Sequence, residues 1–363
     1  MQNTRIAIIG AGRIGSAVRE LLRKSFVQSV GIFDTDPKKS NGSVRLLDDP
    51  EKQLNDYDIW VVATPYTENK KYIDLAAKLN KIYIDFTEDV EVSQYAKTVA
   101  ANGSGKFIPQ CGLAPGLVNI IANGLAKKFE RVESINIRVG ALPNAAMNES
   151  KYAITWSPEG VVNEYLNRCK CIEHGKIVER NGMTGYETLV IDGKEYEAFR
   201  TSGGIGTMVD EWGGAAIGEW SSSGIETLEY KTIRYVGHHK WFSQLADIER
   251  MFDRKTLVHT LKDLVPETRQ DKVIVYIEVA GFNGDKYEVK NFVHEFLPIL
   301  HMTAIEISTA LGALVWIFYA SKYPETFKTQ FGGFVKQEDM DFAFFTENIN
   351  AFLELIYKKR LTF

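Results

Sequence analysis

Only three cysteines occur in 363 residues. So small and odd a number excludes a disulfide framework and points to a reducing compartment. An excess of basic charge is also missing. Lys and Arg number 43 against 47 Asp and Glu, a net charge of −4. That balance excludes the electrostatic footprint of a nucleic-acid binder. Long apolar runs are scarce. Ile6-Ala-Ile-Ile9 is too short for the core of a secretory signal. Thr309–Ala320 covers about half the ~20 residues a spanning helix needs, so it reads as a buried helix. The expectation is a cytoplasmic chain that engages neither membrane nor nucleic acid. No internal repeat or low-complexity tract breaks the sequence. Its 45% hydrophobic and 25% charged content is that of a globular protein, and its length suggests about two domains.

The first 125 residues alternate between two periods. Arg5–Gly10, Val30–Asp34, Asp58–Thr64 and Lys81–Phe86 are short apolar runs. Ser16–Lys24, Thr67–Leu79 and Val90–Ala100 have apolar residues at helical spacing. Apolar strands separated by helices predict a doubly wound parallel sheet covered on both faces. From residue 126 to 301 the pattern becomes short alternating runs: Glu133–Leu142, Lys151–Trp156, Tyr186–Phe199, Lys272–Ala280 and Tyr287–Phe292. Asp192-Gly193 and Asn283-Gly284-Asp285 are hairpin turn signals between such runs. This predicts a second α+β domain on a mixed, largely antiparallel sheet. Residues 302–363 read as a helical tail packing back on the first domain.

Gly10-Ala11-Gly12-Arg13-Ile14-Gly15 is a G-x-G-x-x-G directly after an apolar strand and at the start of a helix. Asp34 follows 19 residues after Gly15, at the end of the second strand. That context is the fingerprint of a Rossmann-type dinucleotide site. Gly10 permits the tight turn, Gly12 the approach of a pyrophosphate, and Gly15 close helix–strand packing. The helix start, with Arg13 and Ile14, favours negative charge. Asp34 suits ribose hydroxyls and favours NAD. Arg13 leaves NADP as the alternative, because an arginine can accommodate a 2′-phosphate. Ala63, Thr64 and Pro65 end an apolar strand and are expected to line the cofactor groove. Asp85 ends the next strand, where it either serves the reaction or caps the following helix.

Further motifs lie beyond this domain. Gly112-Leu-Ala-Pro115-Gly116 is a G-x-x-P-G. Val139-Gly-Ala-Leu-Pro143, Tyr152-Ala-Ile-Thr-Trp156-Ser-Pro-Glu-Gly160, Glu197-Ala-Phe199-Arg-Thr201 and Thr232-Ile-Arg234-Tyr-Val-Gly237-His238 follow in order, then Met302-Thr-Ala304. In this order they resemble the saccharopine dehydrogenase (reductase) family, closest to its lysine 6-dehydrogenase-like branch. The resemblance implies NAD(P)-linked chemistry at the C–N bond of an amino acid or amine, through an imine. The alternatives are a saccharopine- or carboxynorspermidine-type reductive condensation and a non-catalytic nucleotide sensor. The departures are Ala141 for glycine, Asn144-Ala-Ala-Met147 where the lysine-dehydrogenase branch tends to have a proline-rich segment, Val236 for proline, and a run of Gly203, Gly204 and Gly206 that reads as loose.

Within that resemblance Asp85, His238 and Cys111 are the catalytic candidates. The competing reading of Cys111, a small buried apolar residue, is the favoured one. Pro115, Gly116 and Asn119 are expected on the cofactor, with Asn119 alternatively a helix cap. Arg234 and Arg200 are candidates to clamp a carboxylate, with Thr201 beside them. Tyr152 and Trp156 either wall the pocket or pack the core. Cys169 and Cys171 share a strand face but lack a second ligand pair, so no metal is expected. A homodimer is expected, its contacts carried by the second domain.

Overall fold

The computed structural model describes residues 4–25, 29–145, 148–213, 225–249, 253–358 and 360–363. The chain divides into two compact units. One comprises Met1–Ile120 with Glu306–Leu361, the other Ile121–Ile305 with Thr362–Phe363.

The first unit holds six strands: β1 (Ile6–Ile9), β2 (Val30–Asp34), β3 (Arg45–Leu46), β4 (Ile59–Val62), β5 (Ile82–Asp85) and β6 (Lys106–Ile108). They form one parallel sheet in the order β3-β2-β1-β4-β5-β6. This is the Rossmann order, with its switch point between β1 and β4. Every residue of β1, β4 and β5 is buried, as a sheet covered on both faces requires. Trp60, Tyr83, Tyr72, Phe33 and Phe107 pack one side of it. The tail residues add to this unit. Phe107 N–H donates to Gly333 O, and Val335 N–H donates to Phe107 O.

The second unit carries β7 (Arg131–Pro143), β8 (Arg168–Glu173), β9 (Lys176–Asn181), β10 (Glu187–Ile191), β11 (Lys194–Arg200), β12 (Thr227–Tyr235), β13 (Asp271–Asn283) and β14 (Lys286–Phe296). The main path is β10-β11-β12-β7-β13-β14, with the β8–β9 hairpin attached to β12. All pairs are antiparallel except β12 with β7. Asp192 and Gly193 join β10 to β11 with φ of +48° and +74°, the conformation that hairpin turn demands. Lys151–Trp156 does not form a strand; Ile154 makes a single bridge to Glu267.

The helix Ala304–Lys322 is longer than the apolar run read from the sequence. It is long and apolar enough to cross a membrane, with a mean hydropathy of 1.5 over its best window, 78% of which is buried. A Cβ on Gly312 would overlap the Gly112 carbonyl oxygen, so this helix passes close over the loop that follows β6.

Candidate functional site

In the first unit the chain leaves β1 at Gly10 with φ of +102°, a conformation that side chains disfavour. A Cβ there would lie 2.5 Å from Ala63 O at the end of β4, and one on Gly15 would overlap the Gly10 carbonyl. Gly12 is different. Its backbone is extended (φ −81°, ψ −165°), and a Cβ would meet nothing within 4 Å. Neither conformation nor packing asks for glycine at this position. It leads into the helix Arg13–Lys24 and offers no side-chain cap to its first turn. The open space therefore faces the positive end of a helix dipole, which suits a phosphate. Ile14 is half-buried in that turn.

Asp34, only 7% exposed, sits at the end of β2. Oδ2 accepts from Ala11 N at 2.7 Å and Lys39 Nζ at 3.1 Å, and Oδ1 from Asp36 N at 2.9 Å. Burial alone would lift its carboxyl, but these donors hold it below the ordinary value. Arg13 is not the cation beside it. Arg13 Nε donates to Glu306 Oε1 at 2.7 Å, which corrects the expectation that Arg13 serves a 2′-phosphate. Lys39 is the cation beside Asp34.

Ala63 and Thr64 are half-buried and Pro65 is exposed at the carboxyl end of β4. Thr64 Oγ1 donates to Asn69 Oδ1, and Asn69 Nδ2 donates to Asp85 Oδ2, each at 3.1 Å. Asp85 is fully buried and also accepts from Tyr83 Oη (2.7 Å), Thr87 N (3.0 Å) and Gln110 N (3.0 Å). Burial raises its carboxyl despite those donors. Hydrogen bonds to a charged group are worth about 1.5–3 kcal/mol each, so this carboxylate ties the ends of β4, β5 and β6 together. Both sequence readings are corrected. Asp85 does not present a free oxygen for proton relay, and the following helix is capped by Asp89, which accepts from Val92 N at 2.9 Å.

The loop after β6 closes on itself. The Ala114–Pro115 peptide is cis, and a Cβ on Gly116 (φ +135°) would overlap the Gly112 carbonyl. Asn119, fully buried, accepts from Gly116 N at 2.7 Å through Oδ1, the reciprocal half of a capping box. Cys111 is fully buried as well. Its thiol donates to Ile108 O at 3.1 Å and receives Gln337 Nε2 at 3.3 Å. Burial pushes it well above the ordinary thiol value. A nucleophilic cysteine needs its thiolate, so Cys111 is a core thiol and not a catalytic group.

In the second unit the quoted motifs meet one another. The Arg234 guanidinium lies 4.9 Å from the Tyr152 ring centroid and 5.6 Å from that of Tyr165. Nε donates to Tyr165 Oη at 2.6 Å and Nη1 to Ile233 O at 2.9 Å. Tyr165 Oη lies 3.0 Å from His238 Nε2, and His238 Nδ1 lies 2.7 Å from Ser150 O. A carbonyl only accepts, so Nδ1 carries the proton. Nε2 then accepts from Tyr165, and the ring is neutral. Burial and then Arg234 push the His238 imidazole down to about 3. Both ring nitrogens are engaged in a site closed to solvent, which corrects the expectation of His238 as the acid/base group.

Glu197 accepts from Gly237 N at 2.9 Å and from His239 N, at the start of the helix His238–Glu249. Thr201 and Thr232 share a hydrogen bond at 2.8 Å. Phe199 packs edge-on to Tyr165, and Trp156 packs half-buried against the same cluster. The register pairs Arg200 with Lys231 and Phe199 with Thr232, so Arg200 and Arg234 project from opposite faces of the sheet. Arg200 is bound to Glu173 at 2.9 Å and Glu229 at 3.0 Å. It is not a clamp beside Arg234.

Of the departures, Ala141 is buried on β7 and Val236 is exposed, while Ala146 and Met147 lie outside the described residues. The glycine run is not loose: Gly203 and Gly206 have positive φ, and a Cβ on Gly204 would overlap the Tyr230 ring. Sequence reasoning missed Asn69, Tyr83, Tyr165 and Lys39, because no residue type or spacing sets them apart before the strands are aligned.

The first unit thus has the Rossmann-type architecture of a nucleotide-binding protein, and the second unit carries a mixed sheet. The family model for the saccharopine dehydrogenase C-terminal domain matches residues 112–331. The match covers more than half of the chain, and the chain belongs to that family. It is 27% identical over 145 residues to saccharopine dehydrogenase [NADP(+), L-glutamate-forming] of Schizosaccharomyces pombe, covering 38% of this chain and 32% of that protein. The match therefore spans about a third of that relative's length. Apo saccharopine dehydrogenase (L-Glu forming) from Saccharomyces cerevisiae superposes with a TM-score of 0.74 at 13% identity, covering 99% of each chain. Homospermidine synthase from Legionella pneumophila, in complex with NAD, gives 0.68 at 13% identity, covering 96% of this chain and 90% of that one. Both likenesses are of fold.

Proposed function

We propose that the chain is an NAD(P)-dependent oxidoreductase acting on a C–N bond of an amino acid or amine through an imine. The observation that carries this reading is the unfilled space over Gly12 at an uncapped helix start, in a chain of this family. The residues fit a dinucleotide. Gly10, Gly12 and the first turn at Arg13–Gly15 would hold the pyrophosphate, and Asp34 a ribose hydroxyl. Lys39 beside Asp34 gives a 2′-phosphate a cation, so NADP competes with NAD at this site. Thr64 would wall the groove, held by Asn69 and, through it, by Asp85. When bound, the nicotinamide would supply the hydride acceptor.

The substrate read first is a lysine-like amine, as in the lysine 6-dehydrogenase branch. Reductive condensation of two larger acidic partners is the second choice, because Arg200 and Arg234 do not converge. A nucleotide sensor is the rival class, favoured by the engagement of Asp85, Cys111 and His238 within the protein. A cytoplasmic homodimer completes the proposal, and light scattering on the purified chain tests the dimer.

The test of the reaction is titration with NAD(H) and NADP(H), followed by absorbance at 340 nm with amines and with amine–aldehyde pairs. Binding with amine-dependent turnover is expected. Binding without turnover on either panel supports the sensor, and no binding overturns the proposal.

A further inference from the structure

The sheet of the second unit is dressed unequally on its two faces. On one, the helices Pro158–Leu166, His238–Glu249 and Arg254–Leu264 pack with Phe199 of β11. The other is the face of Arg200, since neighbours on a strand point to opposite sides. There, among the described residues, the buried cluster of Leu142, Ile191, Tyr196, Ala198, Ile233 and Ile274 is made of strand residues alone. The register lays Val293, Tyr276, Arg138, Lys231 and Arg200 in one row across β14, β13, β7, β12 and β11 of this face. A solvated sheet face should carry polar side chains. Instead the edge strand β14 turns Tyr287, Val289 and Val293 outward, 51%, 49% and 48% exposed. They sit opposite Phe282, Ala280 and Tyr276 of β13, so two largely apolar rows lie side by side.

Charge and area indicate what covers this face. Arg138 pairs with Glu187 at 2.7 Å, and Lys231 with Glu229 at 3.0 Å and Glu187 at 3.2 Å. Arg200 pairs with Glu173 and Glu229, and Lys272 with Glu295 at 3.1 Å. These four cations and four anions cancel, so the ladder attracts neither an acidic nor a basic partner. Each charge already has its counterpart, so an equally neutral face can cover the ladder without stranding an ion. The strands β14, β13, β7 and β12 span about 19 Å by about 35 Å, or about 650 Å² in projection. A stable dimer buries ~600–1,000 Å² per partner. We propose that a second copy of this chain covers this face, sheet on sheet, about a two-fold axis over β13 and β14. The apolar rows then meet their own copies at the centre, and the ion-pair ladder lies toward the rim, the anatomy of an isologous interface. The inference rests on the homodimer of the proposed function and names its surface.

Sedimentation velocity over a wide range of chain concentration tests it. Wild type should sediment as a dimer, and its Tm should rise with concentration. Val293→Glu places two carboxylates near the axis. It should raise the dimer dissociation constant about a hundredfold or more, leave the far-UV circular dichroism unchanged, and abolish the concentration dependence of Tm. Val293→Thr keeps the β-branch and adds only a hydroxyl. It should raise the constant about threefold to tenfold, which keeps the test decisive if the charged variant fails to fold. Val190→Glu is the control. Val190 is 65% exposed, but it follows Leu189 on β10 and so points to the opposite face. This variant should sediment as wild type does. The inference is overturned if folded Val293→Glu and Val293→Thr dimerise as wild type does, or if Val190→Glu dissociates instead. The homodimer itself would stand in either case, with its contact elsewhere. A wild-type chain that is monomeric throughout overturns both.

Discussion

Two regions of this protein carry sequence motifs for opposite reasons. In the loop after β1, glycine is demanded at positions 10 and 15 by backbone and packing and at position 12 by neither. In the cluster around Arg234 the motif side chains hold one another: Glu197 the helix start at Gly237–His239, Thr201 its neighbour Thr232, and Tyr165 both Arg234 and His238. The first region advertises a ligand by what is left empty. In the second the recurring motif is largely architecture. A residue that recurs in a motif and a residue that works on substrate are thus different things.

The sharpest break of this contrast is within the glycine loop. Gly15→Ala should abolish nucleotide binding and destabilise the chain by several kcal/mol, about 3 or more, because its Cβ would overlap the Gly10 carbonyl. Gly12→Ala should leave unfolding free energy within about 0.5 kcal/mol, as at a site with no special mechanism, yet weaken NAD(P)H binding at least tenfold. If Gly12→Ala binds nucleotide as wild type does, the space over Gly12 is not a phosphate site. Thermal melts and nucleotide titration read both variants.

Asp85→Asn asks whether a hub is also a catalyst. An amide presents its own N–H groups to the donors that now meet a carboxylate, so we expect a loss of about 3 kcal/mol in stability. Nucleotide affinity should fall only a few-fold, through Asn69 and Thr64. Turnover lost with stability and nucleotide binding intact would place Asp85 in the chemistry and reverse this reading.

The two regions also differ in how much of them the sequence could foretell. β1, β2, β4 and β5 are uninterrupted apolar runs because both faces of the sheet are covered, and that pattern is local. β3 and β6, of two and three residues, are too short to carry a period. The glycine fingerprint needs only the backbone next to it, so it was readable as a line of text. Whether Asp85, Cys111 and His238 are free depends on partners far along the chain. Gln337 on Cys111 and Ser150 on His238 come from 226 and 88 residues away. No spacing rule reaches that far.

Titration gives a smaller effect that separates two of the buried ionisable groups of this region, Glu164 and His238. Glu164, raised from 4.5 to about 7, lends stability that is complete below pH 4.5 and lost as pH rises through about 7. His238, lowered from 6.5 to about 3, lends stability that is complete above pH 6.5 and lost as pH falls toward about 3. Between pH 4.5 and 6.5 they oppose each other. Glu164→Gln removes one side, so its unfolding free energy should rise with pH more steeply than that of wild type. The added slope is at most about 1.4 kcal/mol per pH unit, the linkage of one proton. Urea unfolding across this range decides it, and parallel curves would mean that Glu164 does not titrate there.

The smallest effect belongs to Cys111, the clearest case of a motif neighbour that is architecture. Its thiol is fully buried, kept protonated by burial, and held between Ile108 O and the Gln337 amide. Cys111→Ala deletes one sulfur from a packed site, so stability should fall by about 1 kcal/mol. Nucleotide affinity and amine-dependent turnover should stay within about twofold of wild type. Native protein should also resist thiol reagents at this position until it unfolds, since neither access nor thiolate is available. A rate loss of a hundredfold in Cys111→Ala, with the fold and nucleotide site intact, would return a catalytic role to the loop after β6. It would mean that this loop opens during turnover.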